Sequence, residues 1–378
     1  MAGIYIHIPF CRQACHYCNF HFATSLHYKN DFITALFKEI RLQQDYLLNE
    51  TVETIYFGGG TPSLCTVEEI KKMIGEIHNS YTLSETAEIT LEANPDDISS
   101  EKLVGWKKAG VNRLSIGIQS FFQEDLQWMN RAHTAGQAKE SLELALQYFE
   151  NITIDLIYGT PQLTNEKWEH NVTTALSYNI PHLSCYALTV EPKTPLDKMI
   201  QLQQSENINP DKQSEQFLLL MQWLSTAGYE HYEISNFAKP GWRSRHNSTY
   251  WSRGTDGRGK KYLGLGPAAH SFNGAERQWN IANNQRYITT IMTGNVPFEK
   301  ETLTEVQQLN EYIMTALRTA EGVDTTLIAS KFNVSAESLK NKSARYIISG
   351  LLTEKETCLV LTNEGKLLAD GIAAALFY

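Results

Sequence analysis

Residues 4–18 read Ile4-Tyr5-Ile6-His7-Ile8-Pro9-Phe10-Cys11-Arg12-Gln13-Ala14-Cys15-His16-Tyr17-Cys18. A short apolar, β-branched run leads directly into three cysteines spaced C-x3-C-x2-C. Three thiolates within eight residues of a loop are soft ligands, suited to zinc or to an iron–sulfur cluster. A structural zinc site takes four protein ligands, and His16 or His21 could supply the fourth. Three thiolates on a four-iron cluster would instead leave one iron open to an external chelator. The triplet alone leaves both readings open.

Moving outward, similar short runs recur at 54–57, 88–91, 113–118, 152–157 and 182–188. Helix-like patterns lie between them at 31–48, 67–78, 101–109, 138–149 and 166–178. Strands alternating with helices in this way indicate repeated βα units on a parallel sheet. The fold class is α/β, read as a partial or full parallel (β/α) barrel, although an open doubly wound sheet shares the alternation. A helix at 211–227 and a strand-like stretch at 229–234 would close the set.

The strands deliver polar and glycine-rich residues at their ends. Gly58-Gly59-Gly60-Thr61-Pro62 follows the second, Glu92-Ala93-Asn94-Pro95 ends the third, and Gln119-Ser120 the fourth. The fifth carries Asp155 and Tyr158-Gly159-Thr160-Pro161, and the sixth Tyr186, Thr189 and Glu191. In βα barrels the reactive groups gather at this edge. Turn formation explains any one of these segments but not all of them together. The glycine loop permits close approach of a ligand and frees N–H groups for a carboxylate or phosphate. It is not the phosphate loop of a nucleotide-binding protein, because G-x-x-x-x-G-K-[ST] does not occur.

Composition narrows the class. The 378 residues carry 33 Lys and Arg against 42 Asp and Glu, a net charge of −9, which makes nucleic acid an unsuitable partner. No apolar run approaches the roughly 18 residues that span a bilayer. The amino terminus lacks the basic and apolar regions of a signal peptide. Six cysteines in so long a chain fit a reducing, cytoplasmic setting better than a disulfide scaffold. Cys65, Cys185 and Cys358 read as buried or incidental thiols.

Residues 236–295 are rich in Gly, Asn, Arg and aromatics with weak periodicity, and read as an irregular connecting region. After it come helix-like 305–320, 325–331 and 336–349, two strand-like pieces at 351–355 and 358–362, and helical 363–374. That order is winged-helix-like. Its modest basicity favours a structural cap or docking module over a DNA-binding role. The resulting division is 1–235, 236–295 and 296–378.

With these motifs in hand, the chain resembles the radical S-adenosylmethionine enzymes, which share the cysteine signature, an aromatic residue (Tyr17) before the third cysteine and a glycine-rich loop after the second strand. It is most similar to the oxygen-independent coproporphyrinogen III oxidase-like subfamily. Residues 5–11, 58–62, 92–95, 115–120, 155–161, 186–192 and 262–270 carry that similarity over nearly the whole chain. The resemblance implies a barrel of the radical-SAM type and a [4Fe–4S] cluster on Cys11, Cys15 and Cys18. It also implies S-adenosylmethionine beside Gly59, Gly60 and Thr61, with Tyr17 against the adenine. Tyr5, Glu92, Gln119, Arg131, Asp155 and Ala187 match positions that line one or a second S-adenosylmethionine site. Acid and amide groups at strand ends suit ribose hydroxyls and an ammonium, and Arg131 suits a carboxylate. Helix capping or ion pairing is the alternative for Glu92 and Asp155.

Two departures separate the chain from the oxidase. Phe20 stands where the oxidase adds a fourth cysteine, and the first strand begins almost at Met1, without the oxidase's amino-terminal extension. Both match the branch of heme chaperones, as does His246-Asn247-Ser248-Thr249-Tyr250-Trp251, which resembles that branch's H-N-x-x-Y-W motif. Histidine is a common axial ligand to heme, and Tyr and Trp can cover a porphyrin face. His246, Asn247, Tyr250 and Trp251 are thus heme-site candidates, with a hydrogen-bonded structural histidine as the competing account and His270 as a second candidate ligand. The branch implies heme as cargo, recipient hemoproteins, respiratory ones among them, and at most peripheral membrane contact. Oxidative decarboxylation of coproporphyrinogen III is the alternative function, and a zinc-stabilised barrel a third. The basic stretch 252–261, with Arg253, Arg258, Lys260 and Lys261, reads as a solvated loop or a contact for a propionate.

Overall fold

A computed structural model describes residues 2–251, 259–332 and 334–378. Strand β1 (Ala2–Ile8) leads through the cysteine loop to α1 (Lys29–Leu42). The unit then repeats as β2 (Val52–Gly59) and α2 (Val67–Ser80), β3 (Leu83–Ala93) and α3 (Ser100–Ala109), and β4 (Arg113–Gln119) with α4 (Gln123–Trp128) and α5 (Ala135–Ala145). It continues as β5 (Ile152–Tyr158) and α6 (Asn165–Ser177), and β6 (His182–Ala187) with α7 (Pro195–Gln201) and α8 (Pro210–Thr226). The six strands pair in chain order, all parallel. Side-chain oxygens of Thr66, Ser99, Thr134, Thr164 and Asn209 cap the helices that follow them, satisfying amides that have no partner inside the helix.

Two-residue alternation sorts each strand. Ile4, Ile6, Ile55, Phe57, Leu91, Leu114, Ile116, Ile154, Leu156 and Leu183 are fully buried. They share one core cluster with helical residues such as Phe32, Leu36, Ile70, Met73, Trp106, Leu142 and Trp168. The intervening positions are polar: the register sets Tyr5 beside Tyr56, Tyr56 beside Thr90, Ser115 beside Thr153, and Asp155 beside Ser184. A strand with one greasy and one polar face needs helices on the first and something polar inside the curve on the second. The curved sheet therefore encloses a polar interior.

The chain continues as β7 (Glu230–Glu233), β8 (Asn236–Ala238), α9 (Arg245–Trp251), β9 (Lys261–Leu265), β10 (His270–Phe272), β11 (Glu276–Asn280), α10 (Asn284–Met292) and β12 (Phe298–Thr302). Among the described residues the sheet has twelve strands, ordered β12-β11-β10-β9-β1-β2-β3-β4-β5-β6-β8-β7. Its two edges do not meet, so the barrel is partial. Three expectations need correction. The stretch 229–234 does not extend the parallel set, because β8 pairs antiparallel with β6 and separates β7 from it. The helix expected to 48 stops at Leu42, and Leu48 and Asn49 turn with positive φ. The supposedly irregular 236–295 supplies β9, which pairs parallel with the free edge of β1, and the antiparallel β10 and β11 beyond it. Those strands are only three to five residues long, and β10 and β11 are mostly polar, which hid their pattern.

Glu39 on α1 locks this addition in place. Its carboxylate accepts from Gly266 N, Asn280 Nδ2 and Tyr287 Oη at 2.7, 2.6 and 2.6 Å. Past β12, α11 (Glu305–Leu317), β13 (Val323–Asp324), α12 (Thr325–Lys331), α13 (Ala336–Ile348), β14 (Leu352–Lys355), β15 (Cys358–Leu361), α14 (Asn363–Lys366) and α15 (Ala369–Leu376) gather around a second core that includes Ile313, Ile328, Leu339, Leu359 and Leu376. A three-stranded antiparallel sheet, β13-β15-β14, lies within it. No helix among the described residues is long and apolar enough to cross a membrane. Of the basic stretch, 252–258 lies outside the described residues, and Lys261 pairs with Glu50 at 2.6 Å.

Candidate functional site

The carboxyl ends of β1–β6 open into a cavity of about 400 Å³. Cys11, Cys15, Cys18, Tyr17, Gly59, Gly60, Thr61, Glu92, Gln119, Arg131, Asp155 and Ala187 all line it. Those residues come from six different strand ends and their loops, and sequence spacing could not bring them together without the fold.

The cysteine loop is held from three sides. Arg12 reaches the buried Asp97 at 2.6 Å, and Gln13 donates to Asn130 Oδ1 at 2.6 Å. Asn130 Nδ2 returns a bond to the Ala14 carbonyl at 2.7 Å, and Leu196 N donates to the His16 carbonyl at 2.8 Å. His7 holds the far end of the loop. Its Nε2–H donates to the His21 carbonyl at 2.7 Å, which leaves Nδ1 to accept from Tyr5 Oη at 3.2 Å. Neither histidine that could complete a zinc site lines the cavity: His16 Nδ1 bonds the Trp128 carbonyl and His21 Nε2 bonds Asn284 Oδ1, both at 2.7 Å. Among the described residues no three His, Cys, Asp or Glu side chains are grouped as a single-ion site. Burial pushes the Cys11 thiol up to about 11, against a hydrogen bond from Thr61, and burial raises Cys18 as well.

Gly59 shows why the second loop is glycine. Its φ is +101°, and a Cβ there would stand 2.5 Å from His7 Nδ1. At Gly60 a Cβ would meet the Phe10 carbonyl oxygen at 2.6 Å. Glu92 accepts from Tyr56 Oη at 2.8 Å and from the Gly59 amide. Burial, with Asp155 as a like charge, pushes its carboxyl up to about 8 despite those donors. Burial likewise raises Asp155 to about 6, although the Ser184 and Ser115 hydroxyls and two arginines favour its charge. Opposite them Arg131 donates to Asn94 Oδ1 at 2.7 Å, to the Gly117 carbonyl at 2.9 Å and to Cys15 Sγ at 3.4 Å. Among the described residues its buried Nε has no partner. Gln119 sits in the left-handed region at φ +67°, a conformation that costs energy for a side chain of this size and concentrates at functional sites. One wall thus offers cationic N–H groups, the other two protonatable acids, and the rim three thiols.

Two expectations move. Tyr5 does not line the cavity; it lies beneath it, stacked on Tyr56 with ring centroids 6.1 Å apart. His246 is 1% exposed and both ring nitrogens are occupied, Nδ1 with Thr54 Oγ1 at 2.8 Å and Nε2 with Tyr250 Oη at 3.0 Å. Helix α9 fills the barrel floor, and His246 stacks on Tyr56 at 4.9 Å. In this arrangement the imidazole has the partners of a structural histidine. Asn247 N is bonded to Ser244 Oγ, and Trp251 lies 5.4 Å from the Arg318 guanidinium. His270 is exposed on β10 beside Trp279. Of the remaining thiols, Cys65 and Cys185 are buried and Cys358 is half-buried. The clamps Asn130 and Asp97 and the acid-bonding Tyr56 escaped the sequence reading, whereas Asn94 stood in the Glu92-Ala93-Asn94-Pro95 segment without a role. The alternation of Thr54, Tyr56, Glu88, Thr90 and Glu92 on the strands was the available signal.

Comparison with known proteins agrees with this geometry. The Radical SAM superfamily matches residues 5–175, and the HemN C-terminal domain matches 303–368. The heme chaperone HemW of Bacillus subtilis is 35% identical over 380 residues, covering 99% of each chain. That of Escherichia coli is 30% identical over 376 residues, covering 98% of this chain and 96% of the relative. Coproporphyrinogen III oxidase (HemN) from Escherichia coli shares the fold, with a TM-score of 0.85 at 23% identity over 100% of this chain and 90% of that one. With full-length identity at this level and the cysteine cavity in place, the chain belongs to the heme chaperone HemW family of the radical SAM superfamily.

Proposed function

We propose that the protein is a heme chaperone that carries a [4Fe–4S] cluster and S-adenosylmethionine and delivers heme to hemoproteins, respiratory ones among them. The observation that carries the cofactor half is the convergence of Cys11, Cys15 and Cys18 with Gly59, Gly60, Thr61 and Arg131 on one cavity. A cluster binds its thiolates through separate irons, so three thiols need only face a common space, which they do here. Bound there, the cluster would supply one-electron chemistry at its open iron.

The chain's own groups suit the ligand's parts. Arg131, which lines the cavity, would hold a carboxylate, and Glu92 an ammonium. Asp155 and Gln119 would face hydroxyls, and Tyr17 an adenine ring. Hydrogen bonds from Arg131 to Asn94 and Gly117 and from Tyr56 to Glu92 hold two of these groups in place, and such fixing lowers the ordering cost of binding. Residues 1–235 would form the cofactor-bearing unit, 236–295 the segment with the H-N-x-x-Y-W motif, and 296–378 the cap. The cytoplasm is the compartment proposed, with membrane contact no more than peripheral.

Heme is assigned through the chaperone relatives and the motif on α9. The test is anaerobic titration of hemin into reconstituted wild type and His246→Ala, with melting curves alongside. Wild type should take up hemin with a defined Soret band, and the variant should lose that band while keeping its iron and its fold. An unchanged spectrum in a folded His246→Ala protein moves the ligand to His270, and no uptake by wild type ends the heme reading.

A further inference from the structure

On the heme reading above, one imidazole is asked to do two incompatible things. Ligation of iron needs a free lone pair on a neutral ring nitrogen. Both nitrogens of His246 are bonded inside the barrel, to Thr54 and Tyr250, and its 1% exposure leaves no space for a macrocycle.

The helix carrying His246 is fastened at its start. Glu88 accepts the backbone amides of His246 at 2.9 Å and Arg245 at 3.2 Å. Arg245 donates to the Thr86 carbonyl at 2.6 Å and pairs with Glu53 at 3.5 Å. Beneath His246, Gly3 leaves the room: a Cβ there would lie 2.8 Å from Thr54 Oγ1 and 3.5 Å from the imidazole. These contacts join α9 to β1, β2 and β3, and all are made by side chains or by the first amides of the helix. None is a backbone ladder, so the helix can leave as a unit without unpairing a strand.

We propose that α9 is a two-position latch: closed, His246 completes the barrel floor; open, the same imidazole turns out to take heme iron. Heme and the floor then compete for one side chain. A ligand that binds only the open form has its affinity reduced by the fraction of molecules that are open. Weakening a contact made only in the closed form must therefore strengthen heme binding.

Thr54→Val and Tyr250→Phe each delete one partner of His246 while keeping the side chain's shape. Each should tighten hemin binding about fivefold, the factor expected for one net hydrogen bond, while lowering the melting temperature of the apo protein. Hemin should also speed amide exchange over residues 245–251 in the wild type, a readout that survives if either variant folds poorly. Hemin affinity that stays level or falls in the folded variants overturns the latch, as does unchanged exchange in the wild type on hemin uptake. Wild type that takes up no hemin would instead remove the heme reading, and the latch with it.

Discussion

Tyr56 donates its hydroxyl to Glu92 Oε1 across 2.8 Å, so the acid at the end of β3 is satisfied by a neutral phenol from β2 rather than by a cation. Such an arrangement keeps Glu92 in reserve. A buried carboxyl with neutral partners prefers its proton, and a cation entering the cavity would take that proton's place.

This sets a pH dependence. Folding raises the Glu92 carboxyl from 4.5 to about 8. The stability linked to it is therefore complete below pH 4.5 and drains away as pH rises toward 8. Glu92→Gln removes that linkage. In apo protein, the melting temperature of the variant relative to wild type should climb between pH 5 and 8. S-adenosylmethionine, whose ammonium replaces the proton, should bind wild type more tightly as pH rises through this window and release a proton on binding. Calorimetry in two buffers of different ionisation enthalpy measures that proton directly.

Cys11, Cys15 and Cys18 make the cluster prediction. Anaerobically reconstituted protein should hold about four irons and give an electron paramagnetic signal that changes with S-adenosylmethionine. Alanine at any one of the three should abolish both. Stoichiometric zinc without iron would restore the zinc-stabilised barrel.

Phe20 is 64% exposed at the rim of the cavity. An aromatic ring there offers neither a thiol nor an acid to a substrate propionate. Wild-type protein supplied with coproporphyrinogen III should yield no protoporphyrinogen, even where S-adenosylmethionine is slowly cleaved. Turnover of that porphyrinogen would make the oxidase alternative correct. Because the side chain is exposed, Phe20→Ala should change stability by no more than about 0.5 kcal/mol.

The fold class was legible in the alternation of short strands and helices, and residue type singled out the candidate site. Cysteines, glycines and strand-end acids advertise chemistry by residue type, and the βα alternation told which end of the sheet they share. What remained hidden depends on contacts between distant segments. Glu39 looks like any helix acid until Gly266, Asn280 and Tyr287 are seen to surround it. His246 carries a suggestive motif, yet its two partners come from β2 and from its own next turn. No local pattern distinguishes an imidazole that faces a ligand from one that faces a threonine.

Glu39 offers a stability test of that hidden architecture. Its three neutral donors would be stranded by Glu39→Ala, at roughly 1–3 kcal/mol for each unsatisfied buried group. The loss should be large enough to destabilise β9 and the strands beyond it, seen as a lowered urea midpoint. Glu39→Gln keeps an acceptor oxygen and should cost clearly less.

Gly59→Ala and Gly75→Ala separate strain from loss of side-chain freedom. Gly59 has φ +101°, and its added Cβ would press on His7 at 2.5 Å. His7 cannot yield freely, because Tyr5 and the His21 carbonyl hold both its nitrogens. Relief must come from the cysteine loop or from the glycine loop, both of which border the cavity. Gly59→Ala should therefore lower both stability and the yield of reconstituted cluster, with S-adenosylmethionine binding weakened more than folding. Gly75 sits within α2 with nothing inside 4 Å of its would-be Cβ. Alanine there should stabilise the protein by about 0.5–1 kcal/mol, the helix preference of Ala over Gly, with the cluster unaffected. Equal iron content and equal ligand affinity in the two variants would show that the close approach of Gly59 to His7 has no part in shaping the cavity.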